Sequence, residues 1–149
     1  MNNSNENIDI NNLQLASMKS RVKAFVIDDL SITLLVVIIL WDQISASNGD
    51  LMATMVIMNE AFIQIITLKF LYQTFFIWYY GATIGKLISK IRVIDFNTYG
   101  KVSFINAAVR SFGRIISEAV FYIGFVLAYY GDARQTFHDK FGKTLVVDA

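Results

Sequence analysis

Two long apolar runs, each carrying a few charges at fixed places, constrain this chain more than any other feature. Val22 to Trp41 holds roughly 20 residues interrupted only by Lys23, Asp28 and Asp29, enough at ~1.5 Å per residue to reach across a ~30 Å hydrocarbon core. Leu51 to Tyr80 is longer still and predicts a second helix that tilts or projects beyond the lipid. The short polar connector from Asp42 to Asp50, with Asn48-Gly49 as its turn, joins the two, and Trp41 fits an interfacial belt. A length of 149 residues allows one domain, and 55% hydrophobic residues with mean hydropathy +0.48 give a bilayer the role of solvent.

Composition removes several function classes. A net charge of +1 gives no basic excess for nucleic acid. The absence of cysteine excludes disulfides, thiolate catalysis and Cys-ligated metals. One histidine, His138, makes no metal cluster, and its neighbour Asp139 has no nucleophile to activate, so a hydrogen-bonded structural corner is expected there. No triad, paired-carboxylate or dinucleotide-loop pattern is present, so neither an enzyme nor a cofactor is expected. Gly81-Ala-Thr-Ile-Gly85-Lys86 has three residues between its glycines and Leu87 after its lysine, which fails the phosphate-loop spacing; a tight membrane exit is expected at this point.

The remaining segments complete the expected architecture. Residues 1–17 are polar, Asn-rich and without a basic cluster, and read as a flexible tail ahead of a membrane domain over 18–149. Thr83 to Ile91 places Lys86 and Lys90 among apolar residues, as an interfacial helix would. Ile91 to Asp95 and Lys101 to Phe104 flank a turn and predict a small β-hairpin, with Leu145 to Val147 available as a third strand. Phe104 to Tyr130 is apolar but carries Arg110, Arg114 and Glu118, which predicts either a re-entrant segment or a third crossing. The expected fold class is therefore an all-α integral membrane protein with two clear transmembrane helices, this third segment, and a small cytoplasmic hairpin and interfacial helix.

Charge bias sets the orientation. The connector from Asp42 to Asp50 has no basic residue, whereas Lys19, Arg21, Lys23, Lys86, Lys90, Arg92 and Lys101 cluster elsewhere. The positive-inside rule places the N-terminus and the segment after Gly81 in the cytoplasm. Keeping Arg134, Lys140 and Lys143 on that side favours a return of the last segment, which also lets Thr144 to Val147 pair with Ile91 to Asp95.

Acids at membrane depth need partners, since a central charge costs ~2.5–3.5 kcal/mol on insertion scales. Arg21 and Asp28 are seven apart and share a helix face. Asp28 is read either as a proton or cation site or as a packing pair with Arg110, Arg114 or Lys69; Asp29 leans to the packing role. In the second run Glu60, Gln64, Thr67 and Thr74 fall within roughly a 60° sector, opposite Lys69 and Gln73. Glu60 is expected at the outer interface, and Glu118 toward the interior.

These residues stand in a recognisable order: Arg21-x-x-Ala24-x-x-x-Asp28, Gly81-x-Thr83-x-Gly85-Lys86, Arg92-Val93, Arg110-x-x-x-Arg114, and Gln135-Thr136-x-His138-Asp139-Lys140 with Thr144. The chain resembles the RDD family of small membrane proteins, named for one arginine and two aspartates. The resemblance implies that Arg21, Asp28 and Asp139 are those three residues. It also implies a transporter or transporter subunit linked to protons or cations in a bacterial inner membrane; since two or three crossings can hardly enclose a path, a homo-oligomer or other membrane subunits are expected as partners. The alternative is a non-enzymatic accessory protein of a larger complex. Ile84 stands where the family often has proline, and the gap from Arg114 to His138 is short.

Overall fold

A computed structural model describes residues 13–120, 130 and 134–149. Helix α1 (Met18–Ile39) starts at Ser17, whose hydroxyl accepts the Ser20 amide at 3.1 Å. A break at Leu40 leads to α2 (Trp41–Ala46) and a turn through Asn48 and Gly49, both at positive φ. The Asp50 side chain accepts the Met52 amide and opens α3 (Leu51–Glu60). Next comes α4 (Phe62–Tyr80), closed by Gly81 in the left-handed region, where a residue without Cβ carries no strain. A short α5 (Ile84–Ile88) precedes strand β1 (Ile91–Asp95). Helix α6 (Phe104–Ala119) is capped by Ser103, α7 (Phe137–Phe141) by a capping box of Thr136 and Asp139, and β2 (Thr144–Asp148) ends the fold.

The helices are inside out relative to those of a water-soluble domain. On α4 the buried positions are Tyr72, Gln73, Thr74 and Ile77, while Phe62, Ile63, Leu71 and Phe75 are exposed. On α6 Arg110, Ser111, Arg114 and Ser117 are buried, and Ile105, Phe112 and Ile116 face outward. On α1 Arg21 and Asp28 are buried and Leu30, Leu34, Ile38 and Ile39 are not. Apolar contacts seal the two ends of this polar interior: Ala16, Ala24, Ile77, Val93, Val102 and Val146 at one, Ile32, Val36 and Tyr72 at the other.

Among the described residues no single helix is long and apolar enough to cross a membrane. Lys19, Arg21, Lys23, Asp28 and Asp29 charge α1 throughout its first half. The run expected as one second helix is bent by 58° between α3 and α4, and together these two meet the length and composition of a span. The expected polar sector does not hold together: Glu60, Gln64 and Thr67 are exposed but Thr74 is buried, and on the opposite side Gln73 is buried and Lys69 half-buried, because Lys69 finds carboxylate partners inward.

The strand region differs from the expected hairpin. β1 pairs antiparallel with β2, in register Ile91↔Asp148 to Asp95↔Thr144, and Lys101 to Ser103 form no strand. The reason lies in two caps: Asp95 folds the turn by accepting the Asn97 and Thr98 amides, and Ser103 immediately starts α6. The end of the expected flexible tail is also fixed, since Leu15 bridges to Val147, Ala16 donates to the Val146 carbonyl, and Leu13 packs on the sheet. Residues 1–12 of that tail, and the stretch 121–129 on which the choice between re-entry and crossing rests, lie outside the described residues.

Candidate functional site

Helices α1, α4, α5, α6 and α7 converge on two linked clusters of charge. In the first, Asp28 is fully buried and accepts three hydrogen bonds: Tyr72 Oη at 2.9 Å, Thr83 Oγ1 at 2.6 Å and the Gly85 amide at 2.8 Å. Lys86 Nζ and Arg114 Nη1 stand farther off, at 3.9 and 3.8 Å. The Gly81-to-Lys86 motif, which fails as a phosphate loop, thus cradles an anion of the chain itself with a backbone N–H and a hydroxyl. Gly85 is required by the approach: a Cβ there would lie 2.1 Å from the Ala24 carbonyl oxygen and 2.9 Å from the Asp28 carboxyl.

Asp139 holds the other end of this cluster. Its carboxylate accepts from Arg21 Nη1 at 3.0 Å, from Arg110 Nη1 and from the Thr136 amide at 3.0 Å. Arg110 also donates to Thr144 Oγ1 at 2.8 Å, and Arg21 to the Val146 carbonyl at 3.3 Å. Burial alone would raise the Asp139 pKa; Arg110 foremost, with Arg21 and the Thr136 amide, outweighs it and holds the carboxyl well below its usual range. Burial pushes the His138 imidazole well below its ordinary value, so it is neutral at pH 7, and its Nε2 lies 3.0 Å from Thr136 Oγ1 as a structural corner would have it. Burial, reinforced by Arg114, lowers Lys86 to about 7.

The second cluster is looser. Lys69 Nζ bridges Asp29 at 3.3 Å and Glu118 at 2.9 Å, and Glu118 also accepts from Arg114 Nε at 3.2 Å. The Asp29 side chain is 43% exposed, that of Lys69 25% and that of Glu118 15%, against 0% for Asp28. A cavity of about 10 Å³, roughly one water in size, lies against these residues and Gln73, whose Nε2 is buried without a hydrogen-bond partner among the described residues.

The arginine and the two aspartates of the sequence motif therefore meet in one interior, although Arg21 pairs with Asp139 and not with Asp28. A family model matches residues 15–143, nearly the whole described chain. The chain belongs to the RDD family. No curated protein and no solved structure matches it.

Of the other expected site residues in this RDD chain, Arg110, Arg114 and Glu118 join the clusters, whereas Glu60 is exposed at the end of α3 and takes no part. Lys86 turns inward instead of snorkelling to an interface, drawn by Asp28 and Thr83. Tyr72 was not among the expected site residues, and Lys69, expected as a possible partner of Asp28, pairs with Asp29 and Glu118 instead. Their spacing with Gln73, at i, i+3 and i+4, puts all three on one helix face and is the signal that finds them.

Proposed function

We propose that this RDD chain is a small multi-pass membrane protein working as a proton- or cation-linked transporter or transporter subunit. The reading places the bent α3–α4 pair across a bacterial inner membrane with the N-terminus in the cytoplasm, and α1 beside it, too charged to cross alone but with Arg21, Asp28 and Asp29 all paired in the interior; it assigns no enzymatic step. The apolar faces of α1, α4 and α6 support a lipid surround, because a helix that exposes its apolar side and buries its polar side is stable only where the solvent is apolar. One copy offers few crossings, which favours a homo-oligomer or a larger membrane partner to complete a path.

The observation that carries the reading is Lys69 held between Asp29 and Glu118 beside a water-sized cavity. Two carboxylates around one ammonium form a cation site with a tethered occupant, and a proton or metal cation reaching the pair competes with Lys69 for the same oxygens. Asp28, whose lone pairs are taken by three donors, is a poorer exchanger, so the exchange role passes to Asp29 and Glu118. Reconstituted vesicles loaded with a pH-sensitive dye test this: a sodium or potassium gradient moves protons with the unaltered protein and fails to do so with Asp29→Asn or Glu118→Gln. Flux that survives both substitutions overturns the assignment.

A second reading, a non-enzymatic accessory subunit, is favoured by α3, none of whose residues is buried and which exposes Leu51, Met52, Met55 and Val56. Absence of flux from the unaltered protein, together with co-purification of a membrane subunit lost on Met55→Asp, favours that reading.

A further inference from the structure

The strongest unexplained feature lies between α1, α5, α6 and α7, away from Asp29 and Lys69. A cavity of about 30 Å³ is walled by Arg21, Lys86, Arg110 and Arg114, with Asp139 the one acid on its lining. Each of these four cations is at least nine-tenths buried. We propose that this cavity binds a monatomic anion of halide size, which completes the charge balance of the interior.

Three observations support it. The ion pairs form two groups: Lys69, Lys86 and Arg114 balance Asp28, Asp29 and Glu118, whereas Arg21 and Arg110 share the single carboxylate of Asp139, so the group on the cavity wall is one negative charge short of neutral. Donors also exceed acceptors. Lys86, with three N–H groups, reaches Thr83 Oγ1 only at 3.4 Å and Asp28 at 3.9 Å; Arg114 Nη1 stops 3.8 Å from Asp28; and Arg21 Nε has no hydrogen-bond partner among the described residues. Volume then selects the ligand. About 30 Å³ has room for two waters or one small ion, and the apolar walls of Phe25, Ile91 and Val146 leave none for an organic substituent. Burial first and the neighbouring Arg114 second depress the Lys86 pKa, and an anion beside the ammonium opposes both.

The inference is independent of cation flux at Asp29 and stands or falls separately from it. Its test uses the full chain in detergent, with thermal unfolding followed in sodium chloride, sodium bromide or sodium gluconate at matched ionic strength. Chloride and bromide are expected to raise the midpoint by several degrees and to saturate, gluconate is not, and Lys86→Met should remove the difference. The ³⁵Cl resonance should broaden in the presence of the unaltered protein and narrow again on adding bromide, which keeps the test open if Lys86→Met does not fold. Equal midpoints in all three salts with no chloride broadening overturn the proposal, as does a halide effect that Lys86→Met leaves intact.

Discussion

The two charge clusters sit within one interior and differ in how completely their acids are partnered. Asp28 and Asp139 each accept three hydrogen bonds, from elements as far apart in the chain as α1 and α7, and neither touches the exterior. Asp29 has one partner, at 3.3 Å, and a half-open side chain. A carboxylate whose lone pairs are filled by fixed donors resists any change of protonation or partner, whereas one held by a single flexible lysine can trade it. The motif residues that give the family its name are therefore held as a frame, and the exchange proposed for Asp29 and Glu118 would fall to the less tightly partnered neighbours.

The largest expected effect follows from breaking the frame. Asp139→Ala leaves Arg21 and Arg110 buried without their carboxylate, and an uncompensated buried charge of this kind costs ~3–5 kcal/mol. Thermal unfolding in detergent should show a large fall in midpoint or no folded protein. Gly85→Ala comes next. The added Cβ overlaps the Ala24 carbonyl and must push α5 away from α1, at ~3 kcal/mol, the upper end of overpacking costs, and it should also break the Gly85 bond to Asp28. A Gly85→Ala variant with an unchanged midpoint would show that α5 docks more loosely than the frame requires.

Much of this frame was legible in the sequence. Fixed charges inside apolar runs identified Arg21, Asp28, Arg110 and Arg114 as residues needing partners, and the order of motifs identified the family. Which partner each takes was not legible, because a helical period places residues on a face but says nothing of the neighbouring helix. Asp28 accordingly meets Tyr72, Thr83 and Gly85, none of which carries a charge to announce it. The expected hairpin failed for a related reason. Lys101 to Phe104 has strand-like composition, but Ser103 caps a helix there, and the strand partner comes from the other end of the chain. The bend between α3 and α4 has neither proline nor glycine beside it to mark it.

Acidification should loosen the frame in a set direction. The unfolded chain protonates His138 near 6.5 and Asp139 near 3.8, while the folded chain resists both. The unfolded state then binds more protons, so stability falls as the pH drops through each value. Lys86 has the same sign at the other end: the folded protein releases its proton at about 7 and the unfolded chain at 10.5, so stability rises across that window. Unfolding midpoints measured in gluconate should therefore climb from pH 4 to pH 10, and a maximum near neutrality would contradict the buried placement of His138 or Lys86.

The smallest effect on stability is the one that most sharpens the contrast. Asp29→Asn removes a partially exposed partner while Lys69 keeps Glu118 at 2.9 Å, so the cost should stay below ~1 kcal/mol. Asp28→Asn differs by one residue in position and keeps the same shape. Its amide sets an N–H₂ either against the Tyr72 and Gly85 donors or beside Thr83, Lys86 and Arg114, and in both cases removes the charge that the two buried cations face, at ~2 kcal/mol. Measured side by side, the two variants ask whether neighbouring acids on one helix have separate duties. Equal losses would mean that Asp29 is as much a part of the frame as Asp28, and the exchange site would then have to be sought elsewhere.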